Sequence, residues 1–360
     1  MKKKVAIVGG CGHVGLPLAI ALAPHFDISI YDINPEAVAC VSRGEMPFHD
    51  EGAEEGLREA LARGMQVSTS PAVLSGCDYI IVVVGTPVDE HLNPSFTLLE
   101  RLLNQLGEVM RPGQTLVLRS TVYPGTSARA QQMVRERGLD VDVAFCPERV
   151  AEGHALREIK TLPQIISSFS AKGLQAARDL FSPLGVQLIE LEPLEAEMTK
   201  LFNNVYRYVT FAVANQFYML ASEQRLDFYR ILHAMKHDYP RASSMPRPGF
   251  AAGPCLFKDT MQLSAFNDNA FFLGHSAMLV NEGLPQFIVN QMRKSWPDLG
   301  QKTVGVLGMA FKGDSDDKRE SLSYKLRKIL SLHSRRVLAC DPFVKDDSLQ
   351  SESEVLKEAD

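Results

Sequence analysis

No uninterrupted apolar run in this chain of 360 residues nears the roughly 18 that a membrane-spanning helix needs. The longest, residues 18–23 and 79–84, are far shorter. Nor is there a basic excess: 38 Lys and Arg stand against 43 Asp and Glu, a net charge of −5. That balance speaks against a nucleic-acid or membrane-surface partner, which calls for a basic stripe. The six cysteines are Cys11, Cys40, Cys77, Cys146, Cys255 and Cys340. They include no C-x-x-C pair and no His/Cys cluster at zinc spacing. No metal site is expected. Most of the thiols are expected to be small buried hydrophobes in a reduced, cytoplasmic protein. Nor is a secretory leader expected. The lysines at 2–4 and the apolar stretch to Ala23 imitate one, but four glycines and His13 interrupt it.

What the chain has is 45% apolar and 22% charged residues, too apolar for disorder and enough for a sizeable core. Its length predicts two or three domains. Val5-Ala6-Ile7-Val8, Ile28-Ser29-Ile30-Tyr31 and residues 79–84, 115–118, 143–145, 164–166 and 187–189 read as strands, with helical patterns between many of them. That alternation predicts an α/β fold, with a Rossmann-like, doubly wound parallel sheet over about 1–190. Residues 195–223 hold no Gly or Pro and read as one long helix, with more helix to about His237. Residues 240–260 read as an irregular loop. Helices follow over 259–296, with breaks expected at Gly274 and Gly283. Residues 303–308 then repeat the theme of 4–9, and Cys340-Asp341-Pro342 repeats the strand ending at Asp32. The expected domains are 1–192, a helical 193–298, and a second, incomplete Rossmann-like domain at 299–360.

Gly10-Cys11-Gly12-His13-Val14-Gly15 fits G-x-G-x-x-G after a strand and before a helix, with Asp32 twenty residues beyond Gly12. The glycines allow a tight turn and close approach of a pyrophosphate to a helix N-terminus. Asp32 would accept bonds from a ribose and repel a 2′-phosphate, which selects NAD over NADP. Thr86-Pro87 and Ser120-Thr121-Val122 fall at the carboxyl ends of strands, where ligands bind in open α/β sheets, though either is also an ordinary turn.

Lys200 and Asn204 are four apart on the long helix and share a face, with Glu197 and Tyr208 near it. Such a pair can hold a developing alkoxide and position a water; a solvated helix face is the plain alternative. Cys255 closes a Gly/Ala-rich loop, with Lys258 and Asp259 just beyond. Small residues let a substrate approach the backbone, and Lys258 or a helix starting near Asp259 could lower the thiol pKa. A nucleophile and a buried core cysteine are both open on these residues.

Six segments, in order, resemble the nucleotide-sugar 6-dehydrogenase family (UDP-glucose, UDP-N-acetylmannosamine and GDP-mannose dehydrogenases). They are GGCGHVGLP (9–17), STVYPGT (120–126), CPERVAEG (146–153), EMTKLFNN (197–204), PGFAAGPCLFKD (248–259) and GMAFKGDSDDKRES (308–321). The resemblance implies a two-step, NAD-dependent oxidation of the sugar C6 alcohol to a carboxylate, without metal. It implies that Cys255 attacks the aldehyde to form a thiohemiacetal and then a thioester. Lys200 and Asn204 would stabilise the oxyanions, and Asp259 would assist proton transfer. Glu148 and Glu152 would lie beside the sugar, the first linked to thioester hydrolysis, with Thr121 near the reacting centre. Arg149, Gly249, Phe250, Phe311 and Lys312 match substrate contacts. Glu152, Ser120, Thr121, Thr86 and Arg319 match the cofactor side. Arg241 resembles an arginine given to a neighbouring subunit, which implies a homodimer through the long helix.

Some residues depart from the family pattern. Phe250-Ala251-Ala252-Gly253 is poorer in glycine than usual, Phe257 replaces a common proline, and no arginine follows Asp32 closely. Cys146-Pro147-Glu148-Arg149 is closer to the UDP-N-acetylhexosamine branch, which favours UDP-N-acetylmannosamine over UDP-glucose or another UDP-N-acetylhexosamine. Two more distant readings stay open: a β-hydroxyacid dehydrogenase, against which Cys255 and the third unit argue, and a catalytically silent binding protein of the same fold. The family's last domain continues for several more strands, so an exposed sheet edge is expected near residue 360, and the expectation is either a truncated chain or a substrate site that lacks one wall.

Overall fold

Short apolar runs build the first sheet. The computed structural model describes residues 2–85 and 96–360. In it β1 (Lys4–Val8), β2 (Asp27–Tyr31), β3 (Gln66–Ser68), β4 (Tyr79–Val82), β5 (Thr115–Leu118) and β6 (Asp142–Phe145) form a six-stranded sheet. Its order is β3-β2-β1-β4-β5-β6 and every pair is parallel. The helices of this part are α1 (Gly15–Leu22), α2 (Pro35–Ser42), α3 (Ala53–Ala62), α4 (Phe96–Val109), α5 (Thr126–Glu136), α6 (Ala155–Ile159) and α7 (Ala171–Phe181).

Alternate side chains of a strand point to opposite faces, and here both faces are covered. Val5 and Ile7 enter one core with Ile28, Ile30, Ile81 and the apolar side of α1. Ala6 and Val8 enter the other with Ile80, Val82, Leu116, Leu118 and Leu103 and Leu106 of α4. Each Val, Leu or Ile side chain so buried contributes about 1.5–3 kcal/mol. The strand order reverses between β1 and β4, which opens a ligand crevice beyond the carboxyl ends of the strands.

The expectation that the sheet extends to residue 190 is corrected. Among the described residues β7 (Gln164–Ile166) and β8 (Leu188–Glu190) pair only with each other, in parallel. They meet β6 through an antiparallel bridge at Ala144 and Ser168, where the Ser167 and Ser168 hydroxyls donate to the Phe145 and Val143 carbonyls at 2.7 and 2.8 Å. A chain running in the opposite sense there cannot extend the parallel ladder.

By contacts the chain divides into Met1–Leu201 and Phe202–Asp360. The helix α8 (Pro193–Glu223) has 31 residues, about 46 Å at the helical rise. The second part continues with α9 (Phe228–Lys236), α10 (Leu256–Phe266) and α11 (Phe272–Ser295). The expected breaks at Gly274 and Gly283 do not occur: α11 runs through both and through Pro285. Gly274 is a packing glycine, since a Cβ there would lie 2.5 Å from the Phe271 ring and 3.0 Å from Thr260. Gly283 costs a helix only about 1 kcal/mol, which tertiary packing offsets. The chain breaks instead just before α11, where Asp268 and Asn269 take positive φ of 49° and 57°.

The last segment holds β9 (Thr303–Leu307), α12 (Leu322–Ser331), β10 (Arg336–Cys340) and α13 (Glu352–Glu358). β9 and β10 are parallel. Val306 and Ala339 pack with Leu330 of α12, whereas Leu338 and Cys340 pack with Val355 of α13. Asp341 follows β10 as Asp32 follows β2, and it ties its own turn. Its carboxylate accepts from the backbone N–H groups of Met309 and Ala310 (2.6 and 2.9 Å) and of Phe343 and Val344 (2.9 and 3.0 Å). Burial acts to raise its pKa, but these four bonds outweigh it and hold the carboxyl below its usual value. Among the described residues no helix is long and apolar enough to cross a membrane.

Candidate active site

In the first part, the residues singled out by sequence gather at the carboxyl ends of β1, β2, β5 and β6. The turn after β1 is built for close approach. A Cβ at Gly10 would lie 2.8 Å from Ile30 and 2.9 Å from the Ile7 carbonyl, and one at Gly15 would lie 2.6 Å from the Gly10 Cα. The N-cap residue Val14 makes no side-chain bond to α1, the Leu16 N–H donates to the Gly12 carbonyl at 3.0 Å, and the positive end of the helix dipole at the glycine turn favours an anion such as a dinucleotide pyrophosphate. Asp32 fixes this turn: its Oδ2 accepts from the Cys11 N–H and its Oδ1 from the Asn34 N–H, both at 3.0 Å. A carboxylate has about four acceptor sites, so capacity for ribose hydroxyls remains. The His13 ring lies against Phe48, centroids 4.0 Å apart and planes tilted by 33°. The buried Ser120 Oγ has no hydrogen-bond partner among the described residues, and Thr121 beside it is half-buried. These features fit NAD. Thr86 and Pro87 lie outside the described residues.

Glu148 is held from the core side. One carboxylate oxygen accepts from the backbone N–H groups of Arg149 and Val150 (2.5 and 2.9 Å), and the other is paired with the guanidinium of Arg119. Arg119 is fully buried. It also donates to the Cys146 carbonyl (3.2 Å) and to Gln164 Oε1 (2.9 Å), and it lies 5.0 Å from the centre of the Phe181 ring. Arg149 donates to the Pro163 carbonyl, and burial pulls its pKa down. Glu152 is half-buried.

The sequence puts Glu197 near the Lys200–Asn204 face. In the structure it instead caps α5. Its Oε2 accepts from the Gly125 N–H (2.6 Å), and its Oε1 accepts from the Ser127 N–H (2.7 Å) and Ser127 hydroxyl (2.6 Å). Burial pushes its carboxyl up despite these bonds. Lys200, half-buried, precedes Asn204 by one turn of α8.

In the second part, Cys255 is the N-cap residue of α10 and the one exposed cysteine of the six, which removes the core reading. The other thiols contrast with it: burial pushes Cys11 and Cys146 up to about 12 and Cys77 to about 11. The Cys255 carbonyl accepts from the Asp259 N–H at 2.9 Å. Asp259 is fully buried; its Oδ2 accepts from Asn204 Nδ2 at 2.6 Å, and Lys258 Nζ is 3.4 Å from its Oδ1. A carboxylate beside a lysine thus meets the amide on the helix that Cys255 caps. Phe311 covers the loop before Cys255, since a Cβ on Gly253 would lie 2.6 Å from its ring. Phe250 and Lys312 are half-buried. The Arg319 guanidinium lies on Asp317, Nη2 to Oδ2 at 2.6 Å. Arg241 is exposed and lies 4.8 Å from the centre of the Tyr239 ring.

Sequence reasoning passed over Arg119, Asn215 and Asn281. Each carried a signal: a charge at the end of a buried parallel strand, and amides on the buried stripes of two helices.

A glycine turn leading into a helix and a strand-end aspartate on a 3-2-1-4-5-6 sheet define a dinucleotide-binding protein. Comparison with known proteins gives the particular kind. The NAD binding domain of the UDP-glucose/GDP-mannose dehydrogenase family matches residues 3–185, its central domain 194–282 and its UDP binding domain 305–360. A UDP-N-acetyl-D-mannosamine dehydrogenase of Pyrococcus horikoshii is 30% identical over 362 residues, covering 96% of this chain and 86% of that protein. The structure of a UDP-D-ManNAc dehydrogenase from the same species matches with a TM-score of 0.92 at 29% identity, over 99% of this chain and 87% of the other. A UDP-glucose dehydrogenase from Pyrobaculum islandicum matches at 0.90 and 26%, over 100% and 88%. The chain belongs to the UDP-glucose/GDP-mannose dehydrogenase family and is an NAD-dependent nucleotide-sugar dehydrogenase.

Proposed function

We propose that the chain oxidises the C6 alcohol of UDP-N-acetylmannosamine to the uronate, in two oxidations joined by a covalent intermediate on Cys255. The observation that carries this is an exposed thiol at the N-cap of α10 with the Asn204–Asp259 pair one turn further on. The N-terminus of α10 favours negative charge on the sulfur. The thiolate adds to the C6 aldehyde to give a thiohemiacetal; loss of a hydride leaves a thioester, which water hydrolyses to the acid and the free thiol. NAD, held by residues 10–15, Asp32 and Ser120, supplies the hydride acceptor. Lys200 and the Asn204 amide stabilise the oxyanions, and Asp259 takes part in proton transfer. Three of about four acceptor sites on Glu148 are filled, which fixes the carboxylate and leaves one for the hydrolytic water. Thr121, Glu152, Arg149, Gly249, Phe250, Phe311 and Lys312 contact substrate or cofactor. The domain division is 1–192, 193–298 and 299–360.

The experiment is the NADH yield per mole across purified UDP-glucose, UDP-ManNAc, UDP-GlcNAc, UDP-GalNAc and GDP-mannose. A yield of two, highest in rate with UDP-ManNAc, is expected from the four-electron reaction. A yield of one would leave a single alcohol oxidation, and a faster rate with another sugar would reassign the substrate.

Homodimerisation through α8 belongs to this proposal. Phe202, Tyr206, Val213, Phe217 and Leu220 are 41% to 65% exposed and, at 100° per residue, lie in one sector of the helix. Such a stripe calls for a cover. The cover is a second copy, which would also bring Arg241 to its neighbour. Tyr206→Glu together with Phe217→Glu is expected to give a monomer by light scattering with chromatography. A wild type already monomeric at working concentration would end this part of the reading.

A further inference from the structure

The ribbon before the nucleophile is anchored on alternate residues. Ala251 is buried with Tyr208, Ala212, Leu256 and Ala277. The Gly253 N–H donates to the Glu320 carbonyl at 3.3 Å, under the Phe311 ring. Gly249 is gripped at both of its polar groups by one side chain. Its N–H donates to Asn215 Oδ1 at 2.8 Å, and its carbonyl accepts from Asn215 Nδ2 at 2.9 Å. Asn215 lies on α8, three turns beyond Asn204, and is fully buried. Its amide orientation is set in turn by Asn281 of α11, also fully buried. Asn281 Oδ1 accepts from Asn215 Nδ2 at 2.9 Å, and Asn281 Nδ2 donates to the Tyr208 carbonyl at 3.0 Å.

We propose that Asn215 and Asn281 are positioning residues for the substrate loop, acting through the doubly bonded Gly249. This rests on the nucleotide-sugar reading above. Two helices need no amide relay to pack, and apolar residues would fill the same stripe without desolvating an amide. The relay leaves no ambiguity in which way each amide faces: Asn215 spends both hydrogens and its oxygen, and Asn281 must turn its oxygen toward Asn215. A side chain that mimics a backbone ladder on one peptide unit fixes Gly249 in place and direction. It therefore fixes where Phe250 and Ala252, the half-buried residues that alternate with the anchors, are presented.

The test uses the full chain with Asn215→Ala, Asn281→Ala and the double variant; Asn215→Asp, which keeps the acceptor and loses the donor, serves if the alanine variant fails to fold. Two readouts are taken. The first is amide hydrogen exchange over 248–253 without substrate, with α10 and α11 as internal controls. The second is KM and kcat for the sugar nucleotide beside KM for NAD. Expected are faster exchange confined to the loop and a KM for the sugar nucleotide raised about tenfold, the scale of one or two lost hydrogen bonds, with kcat within about threefold. KM for NAD should hold. The double variant should be no worse than the poorer single one, because both act through one anchor. Unchanged loop exchange in a folded variant overturns the proposal, and so does faster exchange with unchanged KM. If the wild type turns over no nucleotide sugar, the functional reading fails in the wild type itself, and the exchange arm still decides whether the amides anchor the loop.

Discussion

Cys255→Ser is expected to cut uronate release by about a thousandfold or more, with NAD affinity unchanged. A serine hydroxyl has the thiol's place and nearly its size, but it is a far weaker nucleophile at neutral pH. Of the other five cysteines, Cys40 is half-buried and its thiol donates to the Glu45 carbonyl at 3.4 Å. Cys11, Cys77, Cys146 and Cys340 are buried, and burial holds the first three far from the thiolate form. Without the covalent step the chemistry stops at the aldehyde, so the NADH yield per sugar should fall from two to one or less. The groups assigned to NAD, Arg319 apart, lie within Met1–Leu201, and Cys255 is not one of them, so a calorimetric NAD titration should match the wild type. Undiminished acid production by this variant would sink the covalent mechanism.

The largest loss of stability is expected from Arg119→Met, about 3–5 kcal/mol, because it strands a buried carboxylate. Arg119 is fully buried and the side chain of Glu148 is 9% exposed, so neither charge is relieved by water. The substitution also removes the donors to the Cys146 carbonyl and Gln164. Arg119→Met with Glu148→Leu should regain much of the loss, since two apolar side chains replace a costly ion pair. Urea unfolding of the two variants measures both effects. A single variant within about 1 kcal/mol of wild type would show that the pair is not what holds this edge of the sheet.

The doubly wound sheet was legible because period and punctuation agreed: five four- or five-residue strands, each set off by turn signals, with the glycine turn and Asp32 in their usual order. β3 was not, since only Val67 of its three residues is apolar, too little for a strand signal. Nor was the separation of β7 and β8 from the sheet, which depends on the direction of the chain at Ser167 and Ser168 rather than on composition. Gly274 and Gly283 misled because the cost of a helical glycine is small beside the packing of α11, and at Gly274 that packing requires the missing side chain. In the candidate site the motifs placed Asn204, Cys255 and Asp259 in one cluster. What they could not convey was the direction of a carboxylate. Glu197 turns to the N-terminus of α5 and Glu148 to Arg119, and both choices rest on donors distant in sequence.

The alternation of the 249–253 ribbon bears on how this chain can change. Residues 249, 251 and 253 are committed to an amide, an apolar cluster and an aromatic ring, so variation there costs the loop its place. Residues 250 and 252 carry none of those bonds. On the proposed mechanism, sugar preference is expected to drift along one edge of this five-residue ribbon while Cys255, two residues beyond, stays where it is. Libraries aimed at a new nucleotide sugar need to sample only those two positions first.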